Sequence, residues 1–471
     1  MQKQPGISNS QIERDFSGGI FFIGIGGIGM SAIARYFHTK AIPVSGYDKT
    51  ETHLTKELVR LGIPVIYVDD VSLMPKEVSM VVFTPAIPTD HKGLNYYRAS
   101  GYDVIKRSDI LQKITENTFN ICISGTHGKT TVSTMTAHIL RHSGYGCNAF
   151  LGGISVNYGT NVWTSENNVC VVEADEYDRS FLKLSPDVAV ITSMDADHLD
   201  IYQSASALQD AFIQFSEKIK DGGTLFSKFG LQRGSELKGD NHITYSLQNE
   251  SAGVYAGNIT LNNGSYEFDI ILNGKRKEGF RLNMGGMHNV ENMVAAVAVA
   301  SHLEIDVEKI KEAVVEFKGV KRRFEYIIKN SRLVFIDDYA HHPEELKALI
   351  KSAKTLFSDW RCTIIFQPHL YSRTRDFADE FAESLDLVDQ IILLPIYPAR
   401  ELPIGGVSSE MIAGKMKNET HKVMSKEAML EWIKKDFIPE TSYEFGEIVI
   451  TAGAGDIDAL VEPVKKELQT I

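Results

Sequence analysis

Short apolar runs alternate with stretches of helical spacing along most of the chain. Ile20 to Ile23, Ile42 to Tyr47, Val65 to Val68 and Met80 to Phe83 read as strands, the first followed by the helical pattern M-S-A-I-A-R-Y-F. A further apolar run from Phe119 meets a glycine-bracketed turn. Val132, Met135, Ile139 and Leu140 then fall at helical spacing, and Gly144 supplies a stop. Strands follow at Asn168 to Val172 and Val188 to Thr192. From His242 to Met284 the period shortens to alternation, and the turns Asn263-Gly264 and Asn273-Gly274 predict an antiparallel meander. Gly286 to Ala300 predicts a helix entered through a polar turn. The strand rhythm then resumes at Leu333 to Ile336, Cys362 to Phe366, Gln390 to Leu394 and Ile448 to Ile450. Alternating strands and helices predict parallel sheets, and the pattern divides into lobes at about 1–112, 113–320 and 321–471.

The central lobe carries the strongest chemistry. I-S-G-T-H-G-K-T-T, at Ile123 to Thr131, places strand, tight turn and helix in the order a phosphate loop needs. Gly125 and Gly128 let backbone amides turn toward an anion, Lys129 adds a point charge, and the Thr130 hydroxyl can ligate magnesium. The loop is shorter than the usual pattern, since position 123 is Ile where a glycine is expected. Two strand ends add acids: E-A-D-E-Y-D from Glu173, with Glu173 the leading metal ligand, and S-M-D-A-D-H-L-D from Ser193, with His198 a second candidate. His288, Asn289 and Asn292 either face a nucleotide base or cap their helix, and the sequence favours the cap.

The first lobe reads as a small Rossmann-like domain. Gly24, Gly26 and Gly29 form G-x-G-x-x-G after the first strand, and Asp48 ends the second. Alone, that fingerprint suggests a nicotinamide or flavin enzyme, although the same turn accepts any pyrophosphate. Thr84 to Pro88 closes another strand and either lines that crevice or stiffens a loop. Lys321, Arg322 and Arg323 form a basic knot before the last lobe. There every strand empties into a loop rich in His, Arg or Asp, and all four loops are expected on one sheet edge.

Composition narrows the class. With 471 residues, 43% hydrophobic and 23% charged, the chain has ample material for a multidomain globular core. A net charge of −12 argues against nucleic acid as the main partner. Cys122, Cys147, Cys170 and Cys362 lack metal-ligand spacing and read as small buried hydrophobes, which suits a reducing cytoplasm. Neither a signal peptide nor a transmembrane run is expected.

G-I-G-G-I-G-M-S, G-T-H-G-K-T-T, E-A-D-E-Y-D, D-A-D-H-L-D, D-D-Y-A-H-H-P, Q-P-H-L-Y-S-R-T and Y-P-A-R-E-L-P-I-G-G-V occur in order and together resemble the Mur ligases. The resemblance is greatest to the branch joining L-alanine to UDP-N-acetylmuramate. It implies three α/β domains: a Rossmann-like N-terminal one, a central P-loop ATPase-type sheet with an antiparallel addition, and a Rossmann-like C-terminal one. It also implies an ATP- and Mg2+-dependent cytoplasmic enzyme of peptidoglycan synthesis, monomeric or weakly dimeric, without membrane insertion. Gly24, Gly26, Gly27, Gly29, Asp48 and Thr84 would then bind the UDP-sugar rather than a dinucleotide. Gly125, Thr126, His127, Gly128, Lys129, Thr130 and Thr131 would cradle ATP, with Asn292 at the adenine, Arg323 at a phosphate and Asp338 at the ribose. Thr130 and Glu173 would hold one magnesium and His198 another. Lys129, Glu173, His198 and Arg323 form the implied catalytic set, and Tyr339, His369 and Arg373 would surround the alanine. The chain departs from many members at Leu370, where a basic residue is common. Phe212 stands where other branches carry a carbamylated lysine. A recycling ligase that adds a tripeptide to the same sugar nucleotide is the alternative; a nicotinamide oxidoreductase or a non-catalytic nucleotide switch would leave most of these motifs unused.

Overall fold

The computed structural model describes residues 18–116, 118–177, 179–195, 199–262, 264–399, 401–437 and 446–470. They form a mixed α/β structure with three sheets. The first contains β1 (Ile20–Ile23), β2 (Val44–Tyr47), β3 (Val65–Ile66), β4 (Met80–Phe83) and β5 (Val104–Lys106), in order β3-β2-β1-β4-β5 and parallel throughout. β1 and β4 are wholly buried, as near-continuous apolar runs in a doubly covered parallel sheet should be.

The second sheet contains β6 (Phe119–Ser124), β7 (Asn148–Ser155), β8 (Thr160–Trp163), β9 (Val169–Glu173), β10 (Val188–Ile191), β11 (Thr224–Lys228), β12 (Asn241–Ser246), β13 (Val254–Asn262), β14 (Ser265–Leu272) and β15 (Lys275–Leu282). Its order is β15-β14-β13-β12-β11-β10-β6-β9-β7-β8. The meander expected from His242 is only partly right. β12 runs parallel to both β11 and β13, because the crossover after Lys228 is long enough to return the chain to the same edge. The hairpin signal holds further on, where Asn273 and Gly274 join β14 to β15 with φ of 48° and 75°.

The hairpin β7–β8 has no counterpart in the sequence reading, and it positions the site. It pairs antiparallel within itself and places β7 parallel beside β9. The helix Ile28–Thr39, which leaves the first glycine turn, is buried from Met30 to Phe37, including Arg35. Tyr36 meets Phe150 of β7 edge-on at 5.2 Å, Arg35 donates to Thr160 Oγ1 at 3.2 Å, and Asn161 Nδ2 donates to the Ile28 carbonyl at 2.6 Å. The helix is covered on nearly every face, with its buried Arg35 bonded to Thr160 and paired with Glu57, and its N-terminus is fixed next to the second sheet.

The third sheet contains β16 (Glu325–Lys329), β17 (Leu333–Asp338), β18 (Arg361–Phe366), β19 (Gln390–Leu393), β20 (His421–Val423) and β21 (Glu447–Ala452), in order β16-β17-β21-β18-β19-β20. Only β16 is antiparallel to its neighbour. Asp338 and Phe366 are both in register with Ala452, and Phe366 with Leu393, so the four expected loops do emerge from one edge.

All four cysteines are buried and unpaired by disulfides. Among the described residues, no helix is long and apolar enough to cross a membrane. Phe212, on the helix Ala205–Ser216, is fully buried and meets Phe181 edge-on at 5.5 Å, while Phe181 stacks on Phe215 at 5.0 Å. Phe212→Ala is expected to lower the unfolding free energy by about 3–5 kcal/mol, read as a lower urea midpoint.

Candidate functional site

β6 delivers the chain into G-T-H-G-K-T at the carboxyl edge of the second sheet, between β9 and β10. Gly125 has φ of +132°, and a Cβ there would lie 2.1 Å from Thr192 Oγ1 and 2.7 Å from the Ser193 nitrogen. Gly128 caps the helix Lys129–His142 in the left-handed region, with Asn292 Oδ1 3.0 Å from where its Cβ would be. No side chain fits at the first position, and the second is strained for anything but glycine. The loop is fastened from the end of β10. Ser193 Oγ accepts from the His127 N–H at 2.7 Å and bonds Thr126 Oγ1 at 2.8 Å, and Thr192 Oγ1 donates to the Ser124 carbonyl at 3.1 Å. Held so, the turn opens toward the start of a buried helix, an arrangement that suits phosphate.

Lys129 Nζ donates to the Gly125 carbonyl at 2.6 Å and to Glu176 Oε1 at 2.8 Å. Thr130 Oγ1 donates to Glu173 Oε1 at 2.9 Å, and the Gly152 N–H to Glu173 Oε2 at 2.9 Å. Burial pushes the Glu173 carboxyl above its ordinary range, opposed by Lys129 and by the Thr130 hydrogen bond. The fit to magnesium rests on the oxygens. Adjacent ligands of an octahedral Mg2+ at about 2.1 Å lie about 3 Å apart, and the Thr130 and Glu173 oxygens already have that spacing. His198 lies outside the described residues. Among the described residues no three His, Cys, Asp or Glu side chains converge into a metal cluster.

A cavity opens beside these groups. One wall is the helix start at Ile28 and Gly29 with Arg107; the other is Gly152, Glu173 and Asp175. Arg107 lies across Gly29, where a Cβ would be 2.6 Å from its Nη1, and reaches Asp175 at 3.5 Å. The cavity thus runs from the helix start at Gly29 to Glu173, the carboxylate that Thr130 of the phosphate loop bonds. Within that turn Gly26 donates to Asp48 Oδ2 at 2.8 Å, Thr50 donates to Asp48 Oδ1 at 3.1 Å, and Thr84 lies against Gly24. Asp48 braces the loop. Gly27 begins the helix as its cap.

On the third sheet a second group forms. Asp338 accepts from the Phe324 N–H at 2.6 Å and the Ala340 N–H at 2.7 Å, and Arg323 opposes the upward push of burial on its carboxyl. The guanidinium groups of Arg322 and Arg323 lie 5.1 and 5.5 Å from the Tyr339 ring centre. Tyr339, His341, His369 and Tyr397 follow ring to ring at 5.2, 5.9 and 5.8 Å, with Arg373 Nη1 3.4 Å from His369 Nδ1. Burial and the neighbouring Arg373 lower His369 to about 4, so it is neutral at physiological pH.

Three family models cover the chain: "Mur ligase family, catalytic domain" over residues 19–118, "Mur ligase middle domain" over 123–300 and "Mur ligase, glutamate ligase domain" over 322–455. The chain belongs to the Mur ligase family. Among its relatives, proteins named UDP-N-acetylmuramate–L-alanine ligase from Porphyromonas gingivalis and Cytophaga hutchinsonii are 46% and 45% identical. The matches cover 96% and 95% of this chain and 99% and 96% of theirs. A solved structure of UDP-N-acetylmuramate-alanine ligase MurC from Thermotoga maritima is 28% identical with a TM-score of 0.82, covering 96% of this chain and 99% of that one. A murein peptide ligase from Psychrobacter arcticus shares the fold at 21% identity and a TM-score of 0.68.

In this Mur ligase the motif residues fall into two groups. Gly125 to Thr131, Glu173 and Asn292 meet at the phosphate loop, and Arg323, Asp338, Tyr339, His369 and Arg373 meet on the third sheet. Asn289 lies inside the helix Met287–His302, and its Nδ2 donates to the Gly285 carbonyl at 2.6 Å, a bond back to the entering turn rather than an N-cap. Arg322 of the basic knot turns inward, 3.4 Å from Asp337. The sequence motifs assigned no role to Arg107, Gly152, Thr192, Ser193 or His341, although Ser193 opens S-M-D-A-D-H-L-D and His341 lies within D-D-Y-A-H-H-P. Outside the motifs, Arg107 has a local signal, a cation opening a helix directly after a strand.

Burial raises the Asp337 carboxyl to about 7 against the pull of Arg322 and the Thr451 hydrogen bond. Folded Asp337 holds a proton that the unfolded chain releases near the ordinary aspartate value of 3.8. Its contribution to stability is therefore complete below that value and is lost as pH rises through about 7. Asp337→Asn is expected to flatten the fall in stability across that interval, measured by denaturant unfolding at a series of pH values.

Proposed function

We propose that the chain joins L-alanine to the lactyl carboxylate of UDP-N-acetylmuramate at the cost of ATP, in the synthesis of peptidoglycan precursors in the cytoplasm. The observation that carries this reading is the cavity linking Gly29 and Arg107 to Glu173, one residue contact away from Thr130 of the phosphate loop. A sugar nucleotide seated on the glycine turn would present its acid toward the γ-phosphate. The names of the relatives point to the same reaction.

The chemistry is the attack of a carboxylate on a polyanion, followed by attack of an amine on the acyl phosphate. Amides of the Gly125–Thr131 turn and Lys129 neutralise phosphate charge as it shifts to the leaving group. Thr130 and Glu173, with His198 as a further candidate, would hold magnesium, which supplies added neutralisation of the phosphates. Gly24, Gly26, Gly27, Gly29 and Thr84 are assigned to the UDP-sugar, with Asp48 keeping the turn in shape. Asn292, Arg323 and Asp338 are assigned to ATP. Tyr339, neutral His369 and Arg373 are assigned to alanine, where a cation suits the amino-acid carboxylate and a neutral imidazole does not repel its ammonium. The corresponding domains are 1–112, 113–320 and 321–471.

Sustained, multiple-turnover ADP release should require UDP-N-acetylmuramate and L-alanine together. Release with the tripeptide but not with alanine would favour a recycling ligase instead. Lys129→Ala should lower kcat by at least about 10²- to 10³-fold, while the UDP-sugar dissociation constant, measured by calorimetry, stays within about twofold. Equal loss of UDP-sugar binding would contradict the separation of the two sites.

A further inference from the structure

Lys129 and Glu176 form the most enclosed ion pair at the phosphate loop. The Glu176 side chain is 0% exposed and that of Lys129 13%. An ammonium has three N–H donors. Here Nζ faces Gly125 O at 2.6 Å, Glu176 Oε1 at 2.8 Å and, weakly, Thr126 O at 3.5 Å. All three acceptors are protein oxygens, so the lysine reaches phosphate only by giving up a partner. Gly125 O belongs to the loop that must stay in place to present its amides. Glu176 sits on the turn after β9 and does not line the cavity. Its backbone carbonyl accepts from Tyr202 Oη at 2.6 Å and from the Arg179 N–H at 2.9 Å, which anchors the turn but leaves the carboxylate aimed at Lys129.

We propose that Glu176 is a positioning residue: it holds Lys129 in the nucleotide-free protein and yields it to the phosphates of ATP. The proposal rests on the reading that G-T-H-G-K-T binds ATP. Its physical consequence is a penalty on nucleotide binding. When Lys129 turns to phosphate, the buried ion pair with Glu176 is stretched or broken, and separating a buried pair is costly. Burial already drives the Glu176 carboxyl upward even with Lys129 beside it. Part of the affinity of ATP is thus set by a residue that does not touch it.

The test is titration calorimetry of the full-length protein with Mg-ATP. Glu176→Gln keeps the shape and removes the charge, and should tighten ATP by about tenfold, the scale of one charge-assisted contact. Glu176→Asp, with a shorter and more distant carboxylate, should tighten it by less. The gain should vanish in a Lys129→Ala background, because it acts through the lysine. UDP-sugar affinity should not move. Unchanged or weaker ATP binding by Glu176→Gln and Glu176→Asp would overturn the proposal, as would a gain that persists without Lys129, which marks a general field effect. If the parent protein bound no ATP, the reading of the loop itself would fall. ATP binding by the parent with no tightening in the variants sinks only the role of Glu176.

Discussion

The Glu173 carboxylate joins three pieces of the chain that are far apart in sequence. It ends β9, accepts from Thr130 on the helix after the phosphate loop, and accepts from the Gly152 N–H on β7. Gly152 is required for this, since a Cβ there would fall 2.3 Å from Glu173 Oε1. A half-buried carboxylate is tolerated because its lone pairs are met on both oxygens. In meeting them it sets the distance between the phosphate loop and the wall of the cavity. β7 in turn bears on the helix Ile28–Thr39, so the same carboxylate indirectly fixes where the first glycine turn faces.

The parts legible in the sequence are those whose signal is local. A strand, a glycine turn, Lys-Thr and a helix are contiguous, and their chemistry follows from their order. The same holds for Asn273-Gly274 and for acids placed at strand ends. The β7–β8 hairpin was not legible, because C-N-A-F-L-G-G-I-S-V-N-Y-G-T-N-V-W mixes glycines and amides with apolar residues and shows no clean alternation. Its pairing is decided by β9 and by the helix it covers. Thr192 and Ser193 escaped for a related reason. Their hydroxyls fasten a loop more than sixty residues away, and only the parallel pairing of β6 with β10 brings them there.

The third sheet shows how parallel strands assemble a site from weak local signals. The loop after β18 is tied to the loop after β19 through the Ser372 N–H to Glu401 Oε2, 2.9 Å, and through Leu370 N–H to the Tyr397 carbonyl, 2.9 Å. It is tied to the loop after β21 through Gln367, whose Oε1 accepts from the Ile457 N–H at 3.0 Å. Leu370 has φ of +71°, outside the range a leucine prefers. Its side chain brings no charge to the loop, where the family resemblance leads one to expect a basic residue. Cation density in that loop therefore rests on Arg373, the cation the structure places beside His369.

Electrostatics connects these features. The chain carries a net charge of −12, yet a nucleotide triphosphate and a sugar nucleotide are polyanions. Long-range attraction from the whole molecule therefore does not gather them; local cations must. Two cations beside the cavity and the phosphate loop are each held against an acid: Lys129 by Glu176 and Arg107 by Asp175. A pre-paired cation is already oriented, so little side-chain entropy remains to be lost on binding. It also attracts a passing phosphate weakly, because the approaching anion must compete with a carboxylate in place. Ligands that offer several phosphate oxygens to the loop amides at the same time can win that competition, and a single exposed phosphate cannot. An anion reaching Lys129 or Arg107 must therefore displace a carboxylate that is already in place, so binding there turns on how many oxygens it offers to the loop amides rather than on a strongly basic surface.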